Sequence, residues 1–302
     1  MRHNEPAAPP PGDPRPIGVF DSGVGGLTVA RALMDLLPDE RIVYVGDTAR
    51  GPYGPRDLRE VRRFTAQIVD HLAAADTKLV VAACNTATAA AVESDPLAFP
   101  VPVMGVIAPA VDAAVRATRT GRVGVIGTVG TIGSGAYERA VATVDDDVKL
   151  FSQACPRFVE LVELGRTTDP EVLEVARAYL APLRAAAVDT LILGCTHYPL
   201  LTGVLAHVMG PEVVLVSSAE ETARRVFTRL VDGGLLAHRP VGPGSWIGPS
   251  GWSGAVGEGH RFVATGDGST FARLAARFLG PRLSDVDVEA LRWPAAAPAV
   301  DA

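Results

Sequence analysis

Eight short apolar runs, many of them β-branched, punctuate this chain: "IGVF" from Ile17, "RIVYVG" from Arg41, "KLVVAAC" from Lys78, "PVMGVI" from Pro102, "RVGVIG" from Arg122, "VKLFS" from Val148, "TLILGC" from Thr190 and "EVVLVSS" from Glu212. The runs are continuous rather than alternating. That is the pattern of strands buried on both faces, as in a parallel sheet covered by helices. Stretches of helical period separate them. Leu58, Val61, Phe64, Ile68 and Leu72 share one helix face, with Arg59, Glu60, Arg62 and Arg63 opposite. A second helix is expected after Thr168, with Glu171 at capping-box spacing and a stripe through Val172, Val175, Tyr179 and Leu183. A third is expected from Ser218 to the Gly233-Gly234 stop. The fold class is α/β, with mainly parallel sheets flanked by helices.

At 302 residues the chain suits two domains better than one. Hydrophobic residues make up 48% and charged residues 21%, so general disorder is excluded. A net charge of -6 without a basic stripe argues against nucleic acid as a partner. No run of 18 apolar residues or apolar leader is found, so no membrane partner is expected and the cytoplasm is the expected location. Cys84, Cys155 and Cys195 are too few and too scattered for a disulfide scaffold or a paired-cysteine zinc site, so no metal is expected and thiol catalysis stays open.

Three segments depart in composition. The Pro-rich leader 1–16 and the tail 281–302 read as poorly ordered, and 237–260 as a Gly/Pro/Ser-rich surface insertion with Trp246 and Trp252 either docked or exposed. The rest repeats itself. "VVAAC" ending at Cys84 matches "LILGC" ending at Cys195, and "IGVFDSGVGG" from Ile17 resembles "VGVIGTVGT" from Val123. The offsets, roughly 111 and 106 residues, suggest two related halves whose cysteines face each other.

Ligands of open α/β sheets bind beyond the carboxyl ends of the strands, where both cysteines fall. A lone Cys is often only a small buried hydrophobe. Here Asn85 and Thr86 follow Cys84, while Thr196 and His197 follow Cys195, so each thiol opens a turn rich in donors. A helix starting there would favour thiolate. "DSGVGG" is a poor dinucleotide fingerprint, since Thr28 takes the place of the third glycine after Gly23 and Gly25. Asp21 and Ser22 are then site residues, and the glycines permit close backbone approach.

"GDTARGPYGP" is either a stiff connection or a loop whose Pro52, Tyr53 and Gly54 place a hydroxyl and an amide over a cleft. Thr128 and Thr131 are either an N-cap or ligand contacts. His197 is either structural or a proton partner for Cys195. Glu163 is either a solvated helix carboxylate or a site acid, and Cys155 is structural. Two facing thiols suit stereoinversion, because one removes a proton from carbon while the other delivers one to the opposite face.

"VFDSGVGGLTV", "YVGDTARGPYG", "ACNTATAA", "VIGTVGTIGSGAYE", "CPRFVELVE", "GCTHYPLL" and "FVATGD" together strongly resemble bacterial glutamate racemase over about Ile17 to Val231 and Phe262 to Gly280. The resemblance implies a cofactor-independent enzyme that supplies D-glutamate for peptidoglycan. Cys84 would take the α-proton of the D isomer and Cys195 that of the L isomer. Asp21 and His197 would assist them, with Glu163 beside His197. Ser22, Pro52, Tyr53, Gly54, Asn85, Thr86, Thr128, Thr131 and Thr196 would hold the substrate, joined by Asp21 and His197. It also implies two pseudo-symmetric domains, 17–107 with 215–280 and 108–214, around an interdomain cleft.

L- and D-glutamate are the expected partners, in a homodimer. Aspartate is the alternative substrate, against which "CTHYP" and "PYG" speak. Some racemases of this family are described as also inhibiting DNA gyrase. The leader and the Trp-bearing insertion are what would carry such a binding role here.

Overall fold

The computed structural model describes residues 12–93, 96–237, 259–280 and 287–293. The insertion's tryptophans and most of the leader lie outside the described residues. All eight apolar runs contain strands. A six-stranded parallel sheet runs in the order β10 (Val288–Ala290), β9 (Arg261–Ala264), β2 (Ile42–Gly46), β1 (Ile17–Asp21), β3 (Leu79–Ala82) and β4 (Val103–Gly105). A four-stranded parallel sheet runs β6 (Lys149–Ala154), β5 (Arg122–Gly127), β7 (Thr190–Gly194) and β8 (Val214–Ser217).

The internal repeat is a repeat of topology. In both sheets the first strand of the unit lies between the second and the third, and the fourth follows the third. β1 therefore corresponds to β5 and β3 to β7. The cysteines follow equivalent strands, Cys84 two residues after β3 and Cys195 directly after β7. β1, β2, β3 and β7 are buried along their whole length, as their unbroken apolar character requires.

Helices α1 (Leu27–Leu36), α2 (Leu58–Ala74), α3 (Asn85–Thr88), α4 (Ile107–Ala117), α5 (Val129–Gly133), α6 (Ala136–Val144), α7 (Arg157–Glu163), α8 (Pro170–Ala185), α9 (Thr202–Met209), α10 (Ser218–Asp232) and α11 (Gly268–Leu279) connect the strands. α2 buries Val61, Ile68 and Leu72 as the periodicity requires, and Asp57 caps it by accepting from the Arg59 amide.

Four expectations are corrected. α8 is capped by Asp169 rather than Thr168, because Pro170 suits the first helical position and Asp169 accepts from the Val172 amide. Its buried stripe is Val172, Ala176, Leu180 and Leu183, which leaves Val175 and Tyr179 half-buried. α10 begins at Ser218 and stops at Gly233 as expected, with Ser217 as its cap. β8 pairs with β7, so residues 215–217 belong to the second sheet and the return to the first unit begins with α10.

The tail is the fourth. Val288–Ala290 adds an edge strand to β9, whose backbone groups on that side need partners. Part of the leader is likewise held, since the Lys78 ammonium donates to the Asp13 carbonyl and the Lys78 amide to that of Pro16. Among the described residues, no helix is long and apolar enough to cross a membrane.

Candidate active site

A cleft of about 630 Å³ lies between the strand ends of the two sheets. Asp21, Ser22, Pro52, Gly54, Cys84, Asn85 and Thr86 line it from the first unit, and Thr128, Glu163, Cys195, Thr196 and His197 from the second. The two cysteines are 6% and 5% exposed, so both sulfurs reach the cleft from nearly closed positions.

Cys84 stands at the N-cap of α3. Burial, reinforced by the Asp21 carboxylate, pushes its thiol up to about 12. The Ala87 amide and the Ser22 hydroxyl act in the opposite sense and are outweighed. The expected helix-start activation is thus overridden, because a helix of one turn carries little dipole while the thiol is nearly fully buried. Asp21 itself is 1% exposed, and burial pushes its carboxyl upward against the amides around it. Oδ2 accepts from the Gly23 amide at 3.0 Å, and Oδ1 has no protein partner.

Around Cys195 the arrangement is different. The Sγ atom is 3.8 Å from Nδ1 of His197, and Nε2 of that ring is 3.1 Å from Oε1 of Glu163. Burial pulls the imidazole down, but its hydrogen bonds to Cys195 and Glu163 prevail and raise it to about 10. Phe278 of α11 meets the ring edge-on at 5.6 Å. The first unit thereby shields the second unit's histidine.

Two glycines serve close approach across the cleft. A Cβ on Gly25 would come within 2.4 Å of the Thr196 hydroxyl oxygen, and one on Gly54 within 2.8 Å of the Thr128 Cβ. Gly25 of the "DSGVGG" loop is thus required by close packing against the second unit.

Thr128 does both things its position suggested. Its hydroxyl accepts from the Thr131 amide as an N-cap and also lines the cleft. Thr86, Thr128 and Thr131 form a hydroxyl triangle with sides of 3.0, 3.0 and 2.9 Å. Thr131 is fully buried behind the other two and does not line the cleft.

The Tyr53 side chain turns away from the cleft, its hydroxyl donating to Asp47 and its ring buried beside Phe64, while its neighbours Pro52 and Gly54 line the cleft. Cys155 is fully buried, as its apolar neighbours required. Among the described residues, the carboxylate, thiol and imidazole groups close enough to share a metal ion are Asp145, Asp146 and Asp147, outside the cleft.

Two contributors escaped sequence reasoning. Tyr137 of α6 donates its hydroxyl to Asn85 Oδ1 at 2.8 Å, leaving the Asn85 Nδ2 donor buried and unpartnered. Thr270, Arg273 and Leu274 of α11 complete the cleft wall. The amphipathic "STFARLAARFL" announces a helix but not the wall it faces.

Two related parallel-sheet units, each contributing a thiol to one shared cleft, have the fold of an isomerase of the racemase type. Residues 27–226 match the family model described as Asp/Glu/Hydantoin racemase. The glutamate racemase of Beutenbergia cavernae is 55% identical over 275 residues, covering 90% of this chain and 91% of that protein. The crystal structure of isoform RacE1 from Bacillus anthracis superposes with a TM-score of 0.80 at 41% identity, covering 93% and 98% of the two chains. That of the Francisella tularensis enzyme in complex with D-glutamate gives 0.78 at 31%, with the same coverage. The chain belongs to the Asp/Glu/hydantoin racemase family and, within it, to the glutamate racemases.

Proposed function

We propose that Cys84 and Cys195 interconvert L- and D-glutamate by a two-thiol proton transfer that needs no cofactor. The observation that carries this reading is one cleft lined by a thiol from each unit, with the His197 ring 3.8 Å from the Cys195 sulfur. Cys84, held near 12, keeps its proton at neutral pH and is ready to donate. Beside Cys195, His197 stays protonated at neutral pH, and its positive charge stabilises a negative sulfur. In the L to D direction the Cys195 sulfur removes the α-proton and Cys84 delivers one to the opposite face. In the reverse direction Asp21 serves as the local base for Cys84.

The α-proton of an amino acid is far less acidic than a thiol, so carbanion charge must be met by fixed donors in a water-poor cleft. Asn85 Nδ2 and the Thr86 hydroxyl supply donors for a substrate carboxylate, with Thr196 and Ser22 on either side. The unpartnered Asp21 Oδ1 is an acceptor for the ammonium. The Francisella tularensis relative, crystallised with D-glutamate, supports the substrate class.

D-glutamate for peptidoglycan, a cytoplasmic location and a homodimer complete the reading. Purified chain with L-glutamate in deuterated water and no added cofactor should yield D-glutamate carrying α-deuterium, measured by chiral chromatography and mass spectrometry. Failure to form D-glutamate under those conditions refutes the assignment.

A further inference from the structure

Asp47 is a fully buried carboxylate for which the proton transfers have no use. It directly follows β2 and accepts four side-chain hydrogen bonds. Oδ2 receives the Tyr53 hydroxyl and, at 2.7 Å, Nε of Arg50. Oδ1 receives the Thr265 hydroxyl at 2.8 Å and the Trp293 indole N–H at 3.0 Å. Its carbonyl also accepts the amides of Arg50 and Gly51 at 3.1 and 2.8 Å. One carboxylate thus gathers the loop that follows it, the end of β9 and the last described residue of the chain.

The loop it gathers is part of the cleft. Thr48, Gly51, Pro52, Gly54 and Pro55 line it, and the Gly54 carbonyl accepts the Gly130 amide of the second unit at 2.8 Å. Gly51 packs so closely on Ser22 that a Cβ there would lie 2.1 Å from the Ser22 carbonyl oxygen. A shift of this loop therefore moves both Ser22 and the contact between the units.

Trp293 acts on the same loop a second way. The Arg50 guanidinium carbon sits 4.1 Å from the centre of the Phe64 ring and 4.6 Å from that of Trp293, a cation between two π faces. Covering the Arg50–Asp47 pair with an indole lowers the local dielectric and strengthens the pair. Trp293 lies well beyond the residues that the family model matches.

We propose that Asp47 is a positioning residue for the cleft loop 48–55 and that Trp293 is its latch, so that a residue of the C-terminal segment sets the order of a substrate-binding loop. The inference rests on the racemase reading only for what the loop binds. Loop order itself is measurable without turnover.

The test uses the full chain as wild type, Trp293→Ala, Trp293→Phe and Thr265→Val. Hydrogen exchange of peptides covering 48–55 should accelerate about tenfold in Trp293→Ala, with exchange of the core strands unchanged. KM for both isomers should rise about fivefold while kcat stays within about twofold, the signature of lost uniform binding. Trp293→Phe, which keeps a ring over Arg50 but lacks the N–H, should fall between, and Thr265→Val should resemble it.

Unchanged loop exchange in Trp293→Ala overturns the latch. So does faster exchange throughout the molecule with KM unaltered, which marks a merely stabilising tail. A wild-type chain that fails to racemise glutamate defeats the functional reading, and the exchange comparison still decides the latch.

Discussion

Nδ1 of His197 faces the Cys195 sulfur at 3.8 Å while Nε2 of the same ring faces Glu163 at 3.1 Å. The imidazole links a buried sulfur to a carboxylate whose side chain is 42% exposed. Burial works against its charge, and the two hydrogen bonds raise it to about 10 in spite of that. A histidine raised in the folded state stabilises the fold fully below its unfolded value, about 6.5. That contribution is lost as pH rises through about 10. Glu163→Gln should lower the His197 titration by about one unit, a modest figure because the carboxylate is partly solvated. NMR of the imidazole carbon resonances against pH measures this, and an unshifted titration removes Glu163 from the pair.

The imidazolium beside the Cys195 sulfur predicts an isotopic asymmetry. Enantiomers have equal free energy in water, so any variant must lose kcat/KM equally in both directions. The asymmetry must appear elsewhere. Removing the imidazolium in His197→Asn weakens the step at Cys195, so abstraction from the L isomer limits more. The α-deuterium effect on kcat/KM should therefore rise for L-glutamate and fall for D-glutamate relative to wild type. Equal changes for both isomers would detach His197 from the Cys195 side. Cys84→Ala and Cys195→Ala should each lose about 10³-fold or more in inversion, since each deletes an acid/base group.

The cysteines and the repeat were legible in the sequence because strands buried on both faces cannot vary in character, and their ends locate the ligand. The same runs do not state which sheet they join. β8 pairs with β7 although the resemblance implied that 215–217 belong to the first unit. β10 went unseen because a three-residue edge strand with a Glu in it carries no pattern. Tyr53 sits in a recognisable loop, but where its hydroxyl goes depends on Asp47 and on a backbone path that spacing does not encode. Side chains that act through a partner distant in the chain, such as Tyr137 on Asn85, leave no local signal at all.

That Tyr137 contact predicts a coupling. The hydroxyl fixes which end of the Asn85 amide faces the cleft, presenting the unpartnered Nδ2 to the substrate. Tyr137→Phe should cost about tenfold in kcat/KM, roughly 1.4 kcal/mol for a buried hydrogen bond and a loosened donor. In an Asn85→Ala background the same substitution should cost almost nothing further, because the partner is gone. Full additivity in that cycle would mean that Tyr137 serves only to pack against Gly194.

A buried ion pair lies within the first unit, just before β2 and β3. Lys78 and Glu40 form an ion pair at 2.6 Å with side chains 0% and 2% exposed. The ammonium also donates to the carbonyls of Asp13 and Leu235, and Glu40 Oε1 accepts the Ala237 amide. The pair thereby holds together the entry of the chain, the exit from α10 and the first strand units. Lys78→Met strands the Glu40 charge in a dry site and should cost about 3 to 5 kcal/mol. The double change Lys78→Met with Glu40→Gln removes the stranded charge while the amide oxygen still accepts from Ala237, so it should recover most of that loss. Urea denaturation of the three proteins gives the comparison. A single variant no less stable than wild type would show that Glu40 takes up a proton or reaches water once the lysine is gone.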